Sequence, residues 1–140
     1  MSAGNPPGTT DAPDPPPAGR PIQTWPRRFA NAGRGVLRGI QGQPSFRVHL
    51  AIAVAVVGAG FWLQADLVRW CILVLCIGMV LTAELFNSSL EWLARSLTDR
   101  QDERIGRALD IASGAVLLAA VTAAAVGILV FGDLLWNPAV

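Results

Sequence analysis

Four polar residues lie at helical spacing directly after a long apolar run: Glu84, Asn87, Ser88 and Glu91. They fall on one face of a helix, because positions three, four and seven apart line up there. An ionisable side chain at membrane depth costs about 2.5–3.5 kcal/mol, so a helix that only spans a membrane would not carry two. We therefore predict a functional site. The alternatives are structural pairing and simple emergence of the helix into water.

Carboxylates that lie close to arginines suit phosphate chemistry. Mg²⁺ prefers one or two carboxylates together with phosphate oxygens and water, and phosphoryl transfer needs charge neutralisation and a base for the attacking hydroxyl. Further polar groups are expected on the same side of the membrane, namely Gln43, Asp110 and the arginines of residues 26–42. A base embedded in a membrane implies a lipid acceptor. The sequence contains no phosphate-binding G-x-x-x-x-G-K-[ST] loop.

The composition is that of an integral membrane protein. The 140 residues are 52% hydrophobic, with a mean hydropathy of +0.44, and the apolar residues are gathered into long runs. The formal net charge of +1 indicates no nucleic acid or other polyanionic partner. Every basic residue is an arginine, so no lysine can act as a nucleophile, base or phosphate ligand. We expect Cys71 and Cys76 to be small apolar fillers and His49 to be interfacial.

The chain divides into a tail, a surface helix and three spans. Residues 1–25 are rich in proline and predict a disordered cytoplasmic tail. Residues 26–42 alternate arginines with apolar side chains, which predicts a basic amphipathic helix on the membrane surface. The fold class is therefore all-α, with spans predicted at about 46–63, 67–97 and 107–132, inside one domain at 26–140. Residues 98–106 form a charged loop.

The distribution of arginine predicts the orientation. Six arginines precede the first span and four lie between the second and third, whereas only Arg69 lies between the first and second. The positive-inside rule then places the N-terminus and the loop at 95–110 in the cytoplasm, and the 64–66 turn and the C-terminus outside, in a multi-pass protein of the cell (inner) membrane. The polar stripe at 84–91 therefore lies near the cytoplasmic interface. Small residues through the third span favour self-association.

Several segments resemble the small prokaryotic membrane kinases of the diacylglycerol kinase and undecaprenol kinase family. The segment A-E-L-F-N-S-S-L-E at 83–91 is close to the family signature A-E-L-x-N-[ST]-A-I-E. The segment Q-P-S-F-R-V-H at 43–49 resembles E-x-N-F-R-I-H, and D-I-A-S-G-A-V at 110–116 resembles the start of the last helix. R-F-A-N-A at 28–32 resembles the opening of the surface helix. The similarity covers roughly 27–132.

The resemblance implies a homotrimeric lipid kinase, with active sites between subunits, that uses ATP and Mg²⁺ to phosphorylate diacylglycerol or undecaprenol. By position, Glu84 would be the catalytic base, and Asn87 would orient Glu84 or the substrate. Glu91 would bind Mg²⁺, with Gln43 as a weaker ligand. Ser88 would support the site. The groups expected to bind ATP and its phosphates are Asp110, Arg28, Arg95 and Arg107.

Three positions depart from the family pattern. Gln43 stands where the family has a metal-binding Glu, Leu109 where it has a phosphate-binding Lys, and Arg95 where it usually has Asp. Arg95 or Arg107 could supply the cation that is lost at 109. These changes leave a second hypothesis, a non-catalytic or altered-activity membrane protein on the same scaffold. A third hypothesis is a small transporter or channel that uses the carboxylates as an ion path.

Overall fold

A computed structural model describes residues 24–97 and 102–137, and helices are the only regular secondary structure within these ranges. The four helices are α1 (Trp25–Gly42), α2 (Pro44–Trp62), α3 (Leu67–Leu97) and α4 (Glu103–Trp136). The predicted all-α class, with one preceding helix and three long ones, is confirmed. The predicted disordered tail at 1–25 lies almost wholly outside the described residues, and Trp25 already belongs to α1.

Helices α2, α3 and α4 are each long and apolar enough to cross a membrane. With a rise of about 1.5 Å per residue, α3 is longer than the ~30 Å hydrocarbon layer of a bilayer. Large apolar side chains cover the outside of these helices, for example Leu75, Leu118 and Ile128. Contact of these side chains with lipid or with other apolar helices is favourable, whereas their exposure to water would be energetically costly.

Helices α3 and α4 form the most extensive helix pair, and α2 packs against α3. Away from the polar stripe, the buried core consists of Leu73 on α3 with Val130 and Leu134 on α4. Val56 on α2 packs against this cluster. The apolar faces of the three helices therefore meet in one core, which holds α3 in a fixed position relative to its neighbours.

An ionic clamp joins the beginning of α3 to the end of α4, and it is formed by Asp66, Arg69 and Asp133. The Arg69 guanidinium pairs with Asp66 at 2.6 Å, and it also pairs with Asp133 near the end of α4. The backbone N–H of Arg69 donates to Asp66 Oδ1 at 2.9 Å. This hydrogen bond, helped by the guanidinium charge, holds the pKa of the Asp66 carboxyl below its usual range. The clamp therefore links two helices at the end away from the polar stripe.

The first helix docks onto α3 through its glycines. Gly39 is buried, and a Cβ atom added there would lie 2.6 Å from Leu85 Cδ2. One turn further on, a Cβ at Gly42 would contact the ring of Trp92. Because glycine has no side chain, the backbone of α1 can approach α3 closely at these two positions. The resulting contact carries α1 directly over the segment that contains the polar stripe.

The last helix begins at Glu103, not at the predicted 107, and it continues to Trp136 instead of ending at 132. Asp102 causes the early start, because its side chain accepts hydrogen bonds from the backbone N–H groups of Arg104 and Ile105. A carboxylate at this position satisfies two of the free N–H groups at a helix N-terminus. Part of the predicted charged loop is thus the first turn of α4.

Candidate active site

Glu84 is a nearly fully buried carboxylate in the middle of α3, with 1% of its surface exposed. The hydroxyl of Ser45, in the first turn of α2, donates a hydrogen bond to Glu84 Oε1. This is the one hydrogen bond to the Glu84 side chain among the described residues. Burial of a carboxylate is costly unless it is hydrogen-bonded, so the position of Ser45 bears directly on how Glu84 is held.

Glu91, two turns further along α3, is held by three donors. Gln43 Nε2 donates to its Oε2 at 2.6 Å, and Asn87 Nδ2 donates to its Oε1 at 3.0 Å. The Arg95 guanidinium donates to Oε2 at 3.2 Å and forms an ion pair with the carboxylate. The charge of Glu91 is therefore compensated by an arginine and two amides of the same chain.

The start of α2 brings polar groups to both carboxylates. Gln43 has an extended backbone and occupies the N-cap position of α2 without a side-chain capping bond, and Pro44 follows it in the first turn, where its missing N–H has no cost. Gln43 then reaches Glu91, and Ser45 reaches Glu84. The positive end of the α2 dipole also faces this region, which favours negative charge. A single short segment therefore contacts both acidic side chains of the stripe.

Helix α4 reaches the stripe through Ser113. Its hydroxyl donates to Asn87 Oδ1 at 3.5 Å, while the amide nitrogen of Asn87 donates to Glu91. The amide of Asn87 is thus oriented from both sides, with its nitrogen toward the carboxylate and its oxygen toward α4. This orientation agrees with a role for Asn87 in arranging the acidic groups around it.

A cavity of about 690 Å³ lies beside the stripe, between α1 and α3. Its lining includes Arg38 and the backbone of Gly39 from α1, and Ser88 and Trp92 from α3. Ser88 is 3% exposed, and its hydroxyl is the one buried side-chain polar atom without a hydrogen-bond partner among the described residues. An unpartnered buried hydroxyl is costly, and in the described part of the chain Ser88 lacks the hydrogen bond that a buried hydroxyl usually makes.

Asp110 and Arg107 form no hydrogen bond or ion pair with the stripe among the described residues, and Arg28 lies on α1. Asp110 is exposed and makes no hydrogen bond or ion pair with the described residues. Arg107 is paired with Glu103 in the first turn of α4, and the Arg28 guanidinium lies 5.3 Å from the ring centre of Trp25 on α1. Of the predicted cations, Arg95 alone contacts a carboxylate of the stripe in the described chain.

The donor set at the stripe can share a magnesium ion with a polyphosphate, but it does not form a complete protein cage. Glu91 offers one carboxylate, and Gln43 offers an amide oxygen, since its nitrogen is the atom that bonds Glu91. Magnesium commonly keeps water and takes only one or two carboxylates from a protein. The described residues contain no cluster of three His, Cys, Asp or Glu side chains, so phosphate oxygens would have to complete the coordination.

The sequence reasoning did not assign a role to Ser45 or Ser113, although both contact the stripe. A signal for Ser45 was present in the similar segments, since the E-x-N-F-R-I-H pattern has a polar residue at the position that matches 45. The contact itself joins residues 39 positions apart in the chain. Helical periodicity within α3 could not reveal it, because periodicity relates only residues of one helix.

Comparison with known proteins places these residues in a wider family. The model of the family described as prokaryotic diacylglycerol kinase matches residues 30–131. An undecaprenol kinase of Bacillus subtilis is 33% identical over 105 residues, which cover 75% of this chain and 85% of that protein.

Two diacylglycerol kinases have comparable percentage identity over shorter aligned regions. The protein of Escherichia coli (strain K12) is 32% identical over 95 residues, which cover 68% of this chain and 70% of the relative. The protein of Synechocystis is 34% identical over 100 residues, with 71% of this chain and 57% of the relative covered. The matched region contains α2, α3 and almost all of α4.

Proposed function

The chain belongs to the prokaryotic diacylglycerol kinase family, and from this premise we propose that it uses ATP and Mg²⁺ to phosphorylate the hydroxyl of a membrane lipid, either diacylglycerol or undecaprenol. Family membership supports lipid phosphorylation, and the names of the relatives support the two acceptors. The observation that carries the proposal is that buried Glu84 and Glu91 lie on the same face of a helix long enough to cross a membrane.

Glu84 is proposed as the catalytic base. Its Oε1 is bonded to Ser45, and its Oε2 accepts no hydrogen bond from the described residues. Oε2 would take the proton from the lipid hydroxyl while the hydroxyl oxygen of the lipid attacks the γ-phosphorus of ATP. A new O–P bond forms, the bond between the γ-phosphorus and the bridging oxygen breaks, and ADP leaves with that electron pair. The proton then passes from Glu84 to water.

Glu91 is proposed to hold the metal, with Gln43 and Asn87 beside it. A bound magnesium ion would neutralise charge on the transferring phosphates. Gln43 contributes no charge, so the Mg²⁺ affinity of the free site should be lower than with a carboxylate at 43. Asn87 would keep the Glu91 carboxylate in its orientation through the 3.0 Å hydrogen bond.

Arg95 is the best placed replacement for the cation that is missing at Leu109. It already lies at the stripe, where it pairs with Glu91, and a guanidinium matches phosphate oxygens well. Arg107 and Asp110 form no ion pair or hydrogen bond with the stripe among the described residues of one chain, and Arg28 lies beside Trp25 on α1. They would contribute to a nucleotide site if a second copy supplied them, as expected for a homotrimer with shared sites.

The cavity between α1 and α3 is proposed to receive the lipid headgroup. It opens beside the stripe, and Ser88 offers an unpartnered hydroxyl there. The nearby arginines of α1 and the positive-inside rule support a location at the cytoplasmic face of the cell (inner) membrane, with the N-terminus in the cytoplasm and the C-terminus outside. ATP is available on that side.

The activity can be tested with the purified native chain in detergent micelles. Diacylglycerol and undecaprenol are offered separately, with ATP, and Mg²⁺ is either supplied or removed with a chelator. We expect Mg²⁺-dependent formation of one phospholipid product from at least one acceptor. Failure to phosphorylate either lipid, with folded protein confirmed by gel filtration, would contradict the proposal.

A non-catalytic membrane protein is the second candidate, and the Arg95–Glu91 ion pair favours it. In that case the arginine replaces the metal permanently, and Gln43 completes a neutral, purely structural arrangement. This candidate predicts that ATP does not bind, with or without Mg²⁺. Calorimetric detection of ATP binding that requires Mg²⁺ would exclude it and support the kinase.

A further inference from the structure

Ser45 contacts the buried carboxylate that the proposed mechanism depends on. It lies in the first turn of α2, and its hydroxyl donates to Glu84 Oε1. Glu84 has no other hydrogen-bond donor among the described residues and is 1% exposed. The orientation of this carboxylate therefore depends on a single hydroxyl, because water has little access to it.

We propose that Ser45 is the positioning residue for Glu84, an inference that rests on the proposed lipid kinase function. The hydroxyl fixes Oε1 and so directs Oε2 toward the acceptor. A carboxylate side chain without this contact could rotate among several rotamers. Proton transfer requires the base to lie within hydrogen-bond distance of the hydroxyl it deprotonates, so loss of a fixed orientation slows the chemical step.

The backbone around Ser45 is itself held on both sides. Pro44, whose φ is fixed by its ring, precedes Ser45, and Phe46, which is 2% exposed and lies in the core, follows it. Gln43 is tied to Glu91 by its 2.6 Å hydrogen bond. The hydroxyl of Ser45 is therefore presented to Glu84 by a rigid segment, which is what a positioning role requires.

This role makes a specific kinetic prediction. Ser45 contacts the base and no residue proposed to bind ATP, so its loss should lower kcat while leaving the KM for ATP nearly unchanged. A structural defect at the start of α2 would instead disturb Gln43 and Glu91 as well, and would raise the KM for ATP. Comparison of the change in kcat with the change in KM for ATP therefore distinguishes a positioning role from general structural damage.

The test compares native protein with Ser45→Ala, Ser45→Thr and a control, Ser96→Ala. Ser96 is an exposed serine on α3 whose hydroxyl donates to the backbone of Leu93. We expect Ser45→Ala to lower kcat about tenfold, on the order of one hydrogen bond to a charged group, with the KM for ATP within about twofold of native. Ser45→Thr should restore most of the rate, and Ser96→Ala should behave like native. If the alanine variant does not fold, Ser45→Cys replaces it, and its weak donor should give the same decrease in kcat.

The double variant Ser45→Ala/Glu84→Gln separates action through Glu84 from an independent effect. If Ser45 acts through Glu84, the double variant has the same residual rate as Glu84→Gln alone. A further tenfold loss, or a Ser45→Ala variant as fast as native, would overturn the inference and leave the lipid kinase function intact. Absence of lipid phosphorylation by the native chain would instead overturn both.

Discussion

Glu84 and Glu91 are held in different ways, although both belong to one stripe. Glu84 has a single neutral donor and almost no solvent, whereas Glu91 has two amides and the Arg95 guanidinium. A base needs a free oxygen that points to its substrate, and Glu84 Oε2 accepts no hydrogen bond from the described residues. Glu91 has the fixed position that a metal ligand needs, but Arg95 would have to move off its carboxylate for a cation to bind there.

The substitution Gln43→Glu tests the metal side of the site. It removes the amide donor from Glu91 and places two carboxylates side by side, which repel each other unless a cation lies between them. We expect a lower Tm than native in metal-free detergent, and a recovery in Mg²⁺ that exceeds the Mg²⁺ effect on the native protein. Gln64→Glu, at the exposed turn between α2 and α3, is the control. An equal response to Mg²⁺ in both variants would argue against a metal at Glu91.

The substitution Arg95→Ala tests the proposed relocation of the phosphate-binding cation. We expect the KM for ATP to rise by about tenfold, because one charge-assisted contact to phosphate is lost. Adding Leu109→Lys, which restores the family's residue, should bring the KM back toward the native value. Steady-state kinetics at varied ATP concentration measures the KM for ATP of the single variant and of the double variant. If Arg95→Ala leaves the KM unchanged, Arg95 does not bind the nucleotide.

The stripe itself could be predicted from the sequence, because helical spacing alone aligns residues 84, 87, 88 and 91. Gln43 could also be placed there through the similar segments. The partners of these residues could not be found in this way. The Ser45–Glu84 and Ser113–Asn87 contacts depend on how α2 and α4 pack against α3. Periodicity says nothing about the rotation of one helix relative to another.

At the level of the elements, the close approach of α1 to α3 depends on Gly39. We expect Gly39→Val to push α1 away from α3, since even a Cβ atom would lie 2.6 Å from Leu85 Cδ2. Lipid kinase activity should fall several-fold, together with a lower Tm. Gly33→Val is the matched control, because nothing lies within 4 Å of a Cβ there. Equal losses in the two variants would mean that helix propensity, not docking, is responsible.

The ionic clamp between α3 and α4 gives a prediction about pH. Arg69→Gln should lower the Tm by about 2–4 °C at neutral pH, as expected for a small charge network. The pKa of Asp66 is lowered from 3.8 in the folded chain, so its stabilising effect is present above that value and is lost as the pH falls through the lower folded value. Melting curves at pH 7 and pH 3 should therefore show a smaller difference between native and variant in acid. An unchanged difference would show that the carboxylate charges paired with Arg69 do not stabilise the fold.

The helices were largely predictable, while their ends were not. The apolar runs predicted three long helices, because residues 67–97 contain no proline and residues 107–132 are almost wholly apolar. The start of α4 was misplaced because the charged residues at 103 and 104 suggest a loop. In the folded chain Asp102 caps the helix, and Glu103 and Arg107 pair across its first turn. Local capping outweighs the polar composition there.

At the level of the whole molecule, a single chain does not bring all the proposed groups together. Asp110 and Arg107 form no ion pair or hydrogen bond with Glu84 or Glu91 among the described residues, and apolar side chains such as Leu75 and Leu118 remain uncovered outside the helices. A homotrimer would bring a neighbour's cations toward the stripe and cover part of this apolar surface. This assembly remains a proposal that agrees with both features.

The most direct test of the central claim is the rate of lipid phosphorylation by Glu84→Gln relative to the native chain. Glutamine keeps the shape of the side chain but cannot accept the proton from the lipid hydroxyl. Glu103→Gln, an exposed glutamate at the start of α4, serves as the control. We predict that Glu84→Gln lowers kcat by about 100-fold or more, within the 10²–10⁴-fold that a general base contributes, while Glu103→Gln stays within about twofold of native. A Glu84→Gln variant that phosphorylates the lipid within a few-fold of the native rate would contradict the account.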